Sequence, residues 1–78
     1  MVIGFIITYR VADKMKNILK ELRTSKGISQ SALADILSVS RQTINSIENG
    51  KFDPSLTLAI KLTRCFEVPL DKIFIYED

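Results

Sequence analysis

Between Arg41 and Asn49 the chain reads Arg-Gln-Thr-Ile-Asn-Ser-Ile-Glu-Asn. At about 100° per residue on a helix, Arg41, Gln42, Asn45, Ser46 and Asn49 share one face, while Ile44 and Ile47 point the opposite way. The polar face has a definite chemistry. A guanidinium fork fits the two acceptors of guanine, and a Gln or Asn amide offers adenine one donor and one acceptor. On residue type alone, an ordinary solvated surface is an equal reading of the same side chains.

Other chemistries are poorly supplied. The 78 residues include no histidine and a single cysteine, Cys65. A disulfide within the chain and a His/Cys metal site are therefore excluded, and the commonest general base is missing. Asp35, Glu48 and Asp53 form no pattern suited to acid/base work, so neither an enzyme nor a cofactor is expected. Cys65 is expected to pack as a small hydrophobe.

The elements that must carry the polar face follow from hydrophobic periodicity. Met15, Ile18, Leu19 and Leu22 fall at i, i+3, i+4 and i+7, which predicts an amphipathic helix from about Asp13, a plausible N-cap, to Ser25, closed by Gly27. Ser29 caps a second, short helix, Gln30 to about Leu37, with Leu33, Ile36 and Leu37 inward and the small Ala32 and Ala34 admitting a close neighbour. Only Ser38, Val39 and Ser40 separate it from the third helix, Arg41 to about Glu48, and so short a link suits a bent helix-turn-helix corner. Ser40 is its N-cap, and Asn49-Gly50 closes it. After Pro54 comes a fourth helix with Leu56, Leu58, Ala59, Ile60, Leu62, Cys65 and Phe66. Being apolar nearly all round, it is expected to be covered on both sides, within one chain or against another. Pro69 opens a short fifth helix with Leu70, Ile73 and Phe74, and Ile73 to Tyr76 is a strand candidate.

The first residues, Met-Val-Ile-Gly-Phe-Ile-Ile-Thr-Tyr-Arg, hold an apolar run of eight from Val2 to Tyr9. A bilayer needs about 20, and no basic residue precedes the run as an export signal requires, so no membrane association is expected. Residues 1–12 read as a short strand apolar on both faces, pairing with the segment at the other end, or else as a leader upstream of a second possible start at Met15. One domain of this size buries only about 60–65% of its unfolded surface, so a dimer partner would help it. The cytoplasm is the default location for such a composition.

The stretch from Leu22 to Leu56, "LRTSKGISQSALADILSVSRQTINSIENGKFDPSL", resembles the lambda-repressor/Cro-type, or Xre-like, helix-turn-helix family. The resemblance runs from Lys14 to about Phe74 and rests on Leu33, Ala34, Leu37, Val39, Ile44, Ile47 and the closing Glu-Asn-Gly. It departs at Ser38, where the family often has glycine. A serine held at positive φ costs about 1 kcal/mol. The resemblance implies base readout by Arg41, Gln42, Asn45 and Ser46, and backbone contacts from Gln30, Asn49 and Lys51. It also implies an Arg23–Glu48 ion pair tying the first helix to the third. Charge agrees: Lys14 to Lys51 holds seven basic and three acidic residues, a net +4, and the remainder has a net −2.

The expectation is a mainly α, five-helix domain over residues 13–78, its motif at about 29–49. A small sheet joins its terminal segments, and a dimerisation region spans about 55–78. Its partners would be double-stranded DNA and a second copy of itself, as a repressor at a palindromic site. The alternative is an antitoxin-like module whose protein partner covers the apolar termini and whose DNA binding is autoregulatory.

Overall fold

The computed structural model describes residues 15–77. The elements run β1 (Met15–Asn17), α1 (Leu19–Ser25), α2 (Gln30–Leu37), α3 (Arg41–Glu48), α4 (Leu56–Phe66), α5 (Leu70–Ile73) and β2 (Phe74–Tyr76). Five helices and a two-stranded antiparallel sheet match the expected class. One contiguous core joins Leu19 of α1, Leu33 and Leu37 of α2, Ile44 and Ile47 of α3, Leu62 of α4 and Ile73 of α5. Cys65 packs against it, half-buried.

The first helix is shorter than its periodicity predicts. Asp13 lies outside the described residues, and Met15–Asn17 is a strand in register Met15↔Tyr76, Lys16↔Ile75 and Asn17↔Phe74. Two bonds enforce the change. The Ile18 N–H donates to the Ile73 carbonyl at 3.0 Å, continuing the pairing one residue beyond the strand. The Leu19 N–H donates to Asn17 Oδ1 at 3.0 Å, so a side chain satisfies a free donor at the start of α1 and the helix begins there. The terminal sheet thus forms with Met15–Asn17 as its N-terminal strand. The proposed strand over Val2–Tyr9 lies outside the described residues.

At the other end, Ile73 closes α5 and Phe74 opens β2, so the strand is one residue shorter than expected. Among the described residues the fourth helix is buried along one side: Leu58, Ala59, Leu62 and Phe66 are buried, whereas Leu56 is 73% and Ile60 46% exposed. Its cap is Ser55, whose Oγ accepts the Leu58 N–H at 3.2 Å, and Pro54 stands just outside it.

Four helices end the same way. The chain turns through a left-handed residue and its next N–H reaches back to the helix: Ile28 to the Arg23 carbonyl, Val39 to Ala34, Lys51 to Ser46 and Val68 to Thr63. Glycine supplies the positive φ twice, at Gly27 and Gly50. Ser38 (φ 59°) and Glu67 (φ 57°) supply it at the other two, where a Cβ crowds the backbone. Ser38→Gly should therefore raise stability by about 1 kcal/mol, an increase of roughly 4–8 °C in Tm by circular dichroism, with unchanged helix content.

Candidate nucleic-acid interface

The corner between α2 and α3 is built from small and polar groups. Ser29 Oγ accepts the Ala32 N–H and Ser40 Oγ the Thr43 N–H, each at 3.0 Å, so both helices start where a hydroxyl satisfies a free donor. Ile44 and Ile47 are fully buried and fix the rotation of α3 about its axis. The opposite face is turned outward: Arg41, Gln42, Asn45 and Asn49 are exposed, and Ser46 is half-buried. Asn49 Nδ2 donates to Asn45 Oδ1 at 3.1 Å, one turn apart, so the two amides orient each other. Lys51, exposed, follows the turn and lines a shallow cleft of about 290 Å³ with Ser40, Gln42, Thr43, Ser46 and Phe52.

Behind this face lies a buried charge pair. Arg23 Nε donates to Glu48 Oε2 at 2.6 Å and Arg23 Nη2 to Glu48 Oε1 at 3.2 Å, and only 10% and 3% of the two side chains is exposed. Arg23 Nη1 donates to the Ile28 carbonyl at 2.8 Å, and Gln30 Nε2 donates to Glu48 Oε1 at 3.0 Å. Gln30 is thus half-buried at the first turn of α2, with one amide hydrogen turned toward Glu48 and away from solvent. Among the described residues no buried side-chain nitrogen or oxygen lacks a partner, as a stable buried ion pair requires.

Burial pushes the Glu48 carboxyl up, but the hydrogen bonds from Arg23 and Gln30 and the charges of Arg23 and Lys20 outweigh it and hold the group below its ordinary value. The hydrogen bond to Glu48 pushes the Arg23 guanidinium up against the opposing effect of burial.

One further residue enters the site without a sequence signal. Asn17 Nδ2 donates to the Ile47 carbonyl at 2.9 Å, thirty residues away, and ties the terminal sheet to the last turn of α3. Its type suited a cap. Its partner depends on the packing of β1 across the end of α3, which no local pattern encodes.

A bent pair of short helices, with the second anchored by apolar residues and presenting amides and a guanidinium outward, defines a helix-turn-helix DNA-binding protein. The chain matches the helix-turn-helix family over residues 19–73 and belongs to its lambda-repressor/Cro-type, Xre-like branch, a class of DNA-binding transcriptional regulators and not of enzymes. It is 55% identical over 64 residues to an uncharacterized HTH-type transcriptional regulator of Methanocaldococcus jannaschii, covering 82% of this chain and 97% of that one. It is 42% identical over 64 residues to the uncharacterized HTH-type transcriptional regulator YgzD of Bacillus subtilis, with the same coverage of 82% and 97%. Among solved structures it is similar to the restriction-modification controller protein C.AhdI from Aeromonas hydrophila. That likeness has a TM-score of 0.62 and 33% identity, and covers 69% of this chain and 82% of that one. No helix among the described residues is long and apolar enough to cross a membrane.

Removing one member of the charge pair strands the other. Arg23→Met should destabilise the fold by about 3 kcal/mol or more in thermal or urea melts, and an unchanged melt would mean that the pair contributes nothing. Acid should act through Glu48. The unfolded carboxyl takes up its proton near the ordinary value of about 4.5, and the folded one only at lower pH. Its contribution is therefore complete above that value and is lost as pH falls through the folded one. Urea melts across this range should show a shallower acid loss for Glu48→Gln than for the parent, because the variant has no carboxyl to titrate there.

Proposed function

We propose that the protein is a homodimeric repressor that reads a palindromic operator by laying α3 in the major groove. The observation that carries this is the division of α3 into a fully buried isoleucine face and an exposed Arg41, Gln42, Asn45 face beside the half-buried Ser46. In this reading Arg41, Gln42, Asn45 and Ser46 contact base edges, Arg41 toward guanine and Gln42 or Asn45 toward adenine. Gln30, Asn49 and Lys51 hold the DNA backbone. Gln30 keeps a second amide hydrogen for this purpose, and it stands at a helix start, where free N–H groups favour a phosphate. Arg23 and Glu48 brace α1 and α2 against the end of α3.

The second copy is proposed to sit against α4, α5 and the terminal sheet. There Leu56, Leu70 and Tyr76 are exposed around a groove of about 610 Å³ that Met15, Ala59 and Phe74 also line. Ile60 and Ile75, exposed as well, extend the apolar character of α4 and β2. Among the described residues the sheet has two strands, and an edge strand is a template for further pairing that a two-fold dimer satisfies symmetrically. Two α3 helices about 34 Å apart would then meet successive turns of the major groove. The same apolar surface is what favours the alternative, a heterologous protein partner with autoregulatory DNA binding. Sedimentation of the purified chain separates the two: a stable dimer supports the homodimer, and a chain that is stable only with a co-purifying protein supports the alternative.

Base readout is tested by selecting sites from random duplexes. Gln42→Ala should cost about 1–3 kcal/mol of specific binding and relax preference at about one or two base pairs. Lys51→Ala should weaken all sequences alike and reduce the salt slope by about 1. An unchanged base preference for the Gln42 variant would remove that face of α3 from the interface.

A further inference from the structure

Phe52 is an apolar side chain in a polar setting. Gly50, at φ 73°, reverses the chain after α3, and the Lys51 N–H donates to the Ser46 carbonyl at 2.9 Å. This turn carries residues 51 and 52 back along the helix they have just left. Phe52 lines the 290 Å³ cleft with Gln42, Thr43 and Ser46 on α3, with Ser40 at its cap and with Lys51. Of these six, only Phe52 has a wholly apolar side chain.

Among the described residues the ring has no place in the core that accounts for its position. It is 49% exposed and belongs neither to the buried core nor to the partly buried residues packed against it. It stands beside two side chains, Gln42 and Ser46, assigned above to base edges, and next to Lys51, assigned to the backbone. The apolar group that a base pair presents in the major groove is the C5-methyl of thymine, and phenylalanine is one of the side chains that can cover it. We propose that Phe52 is a specificity-determining residue that packs on a thymine C5-methyl beside the base pair read by Gln42. The inference rests on the reading of α3 as the recognition helix. It adds an apolar readout to the polar one, from a residue outside that helix.

Replacing thymine by deoxyuridine removes only the methyl group, so it isolates this contact. The wild-type chain first selects its site from random duplexes, and each thymine of that site is then exchanged singly. One exchange in each half-site should weaken wild-type binding by about fourfold, the effect of exposing one methyl-sized apolar group. Phe52→Ala should bind thymine and uracil duplexes equally at that position while keeping its other preferences. Phe52→Leu, still apolar, should regain part of the discrimination. Thermal melts of both variants should match the parent, because the ring lies outside the core. The proposal is overturned if wild-type binding is indifferent to every exchange, if Phe52→Ala keeps the sensitivity, or if that variant weakens all sequences alike. Failure of the underlying reading shows separately, as wild-type protein that selects no site or as a selected site unaffected by Gln42→Ala, and it would overturn both.

Discussion

Arg23 and Glu48 bring opposite charges together across the start of the motif, and the placement of α3 depends on how completely they are satisfied. Taking a carboxylate and a guanidinium out of water costs several kcal/mol per ion, which mutual attraction offsets only when the remaining donors and acceptors are also bonded. That condition is met. Arg23 binds both carboxylate oxygens and the Ile28 carbonyl, and Gln30 adds a donor to Glu48. Four places in the chain are thereby tied: α1, the turn after it, the first residue of α2 and the last residue of α3. An isoleucine or leucine at either position would pack without specifying an angle. A bidentate pair fixes both distance and orientation.

What the pair does at one side of the end of α3, Asn17 does from another. Its amide spans β1, the N-terminus of α1 and the Ile47 carbonyl, so the sheet and the charge pair hold the same last turn of α3. The N-terminal end is held differently, by Ser40 Oγ, which accepts the Thr43 N–H and lies 2.8 Å from its hydroxyl. A helix of eight residues has little stability of its own. Its rotation comes from two buried isoleucines, its first turn from its own cap and its last turn from hydrogen bonds to other elements, and for that reason so short a helix can present a fixed face.

Much of this was legible in the sequence, and the reasons differ by element. Ser29 and Ser40 as caps, Gly27 and Gly50 as left-handed ends and the opposed faces of α3 are local rules, read within one or two turns. Ser38 was readable as a strained turn from the family resemblance, but Glu67 was not, because a glutamate carries no signal for positive φ. Met15, Ile18, Leu19 and Leu22 misled at the N-terminal side: their spacing fits a helix, but Met15–Asn17 pairs with Phe74–Tyr76 towards the other end of the chain. Tertiary pairing overrode periodicity there. Asn17 was invisible as a site residue for the same cause, and Phe52 because a lone exposed aromatic has no pattern.

Two features of the motif break rules that stability alone would follow, and both concern charge. Acidic side chains are favoured in the first turn of a helix, where free N–H groups leave partial positive charge. α1 and α5 obey, with Glu21 and Asp71. α2, α3 and α4 carry no acid there, and of these α3 begins with a cation, Arg41, against its own dipole. An anionic partner at the start of α3 would relieve the conflict. The overall charge is small, and Arg23 is spent on Glu48, which leaves Lys20, Lys26, Arg41 and Lys51 as the exposed, unpaired cations of the described part of the motif half. So few cations would release few counterions, and in the reading proposed for α3 affinity would lean instead on hydrogen bonds whose donors are already oriented. In that reading the Asn45–Asn49 bond, the capped ends and the braced last turn would hold them.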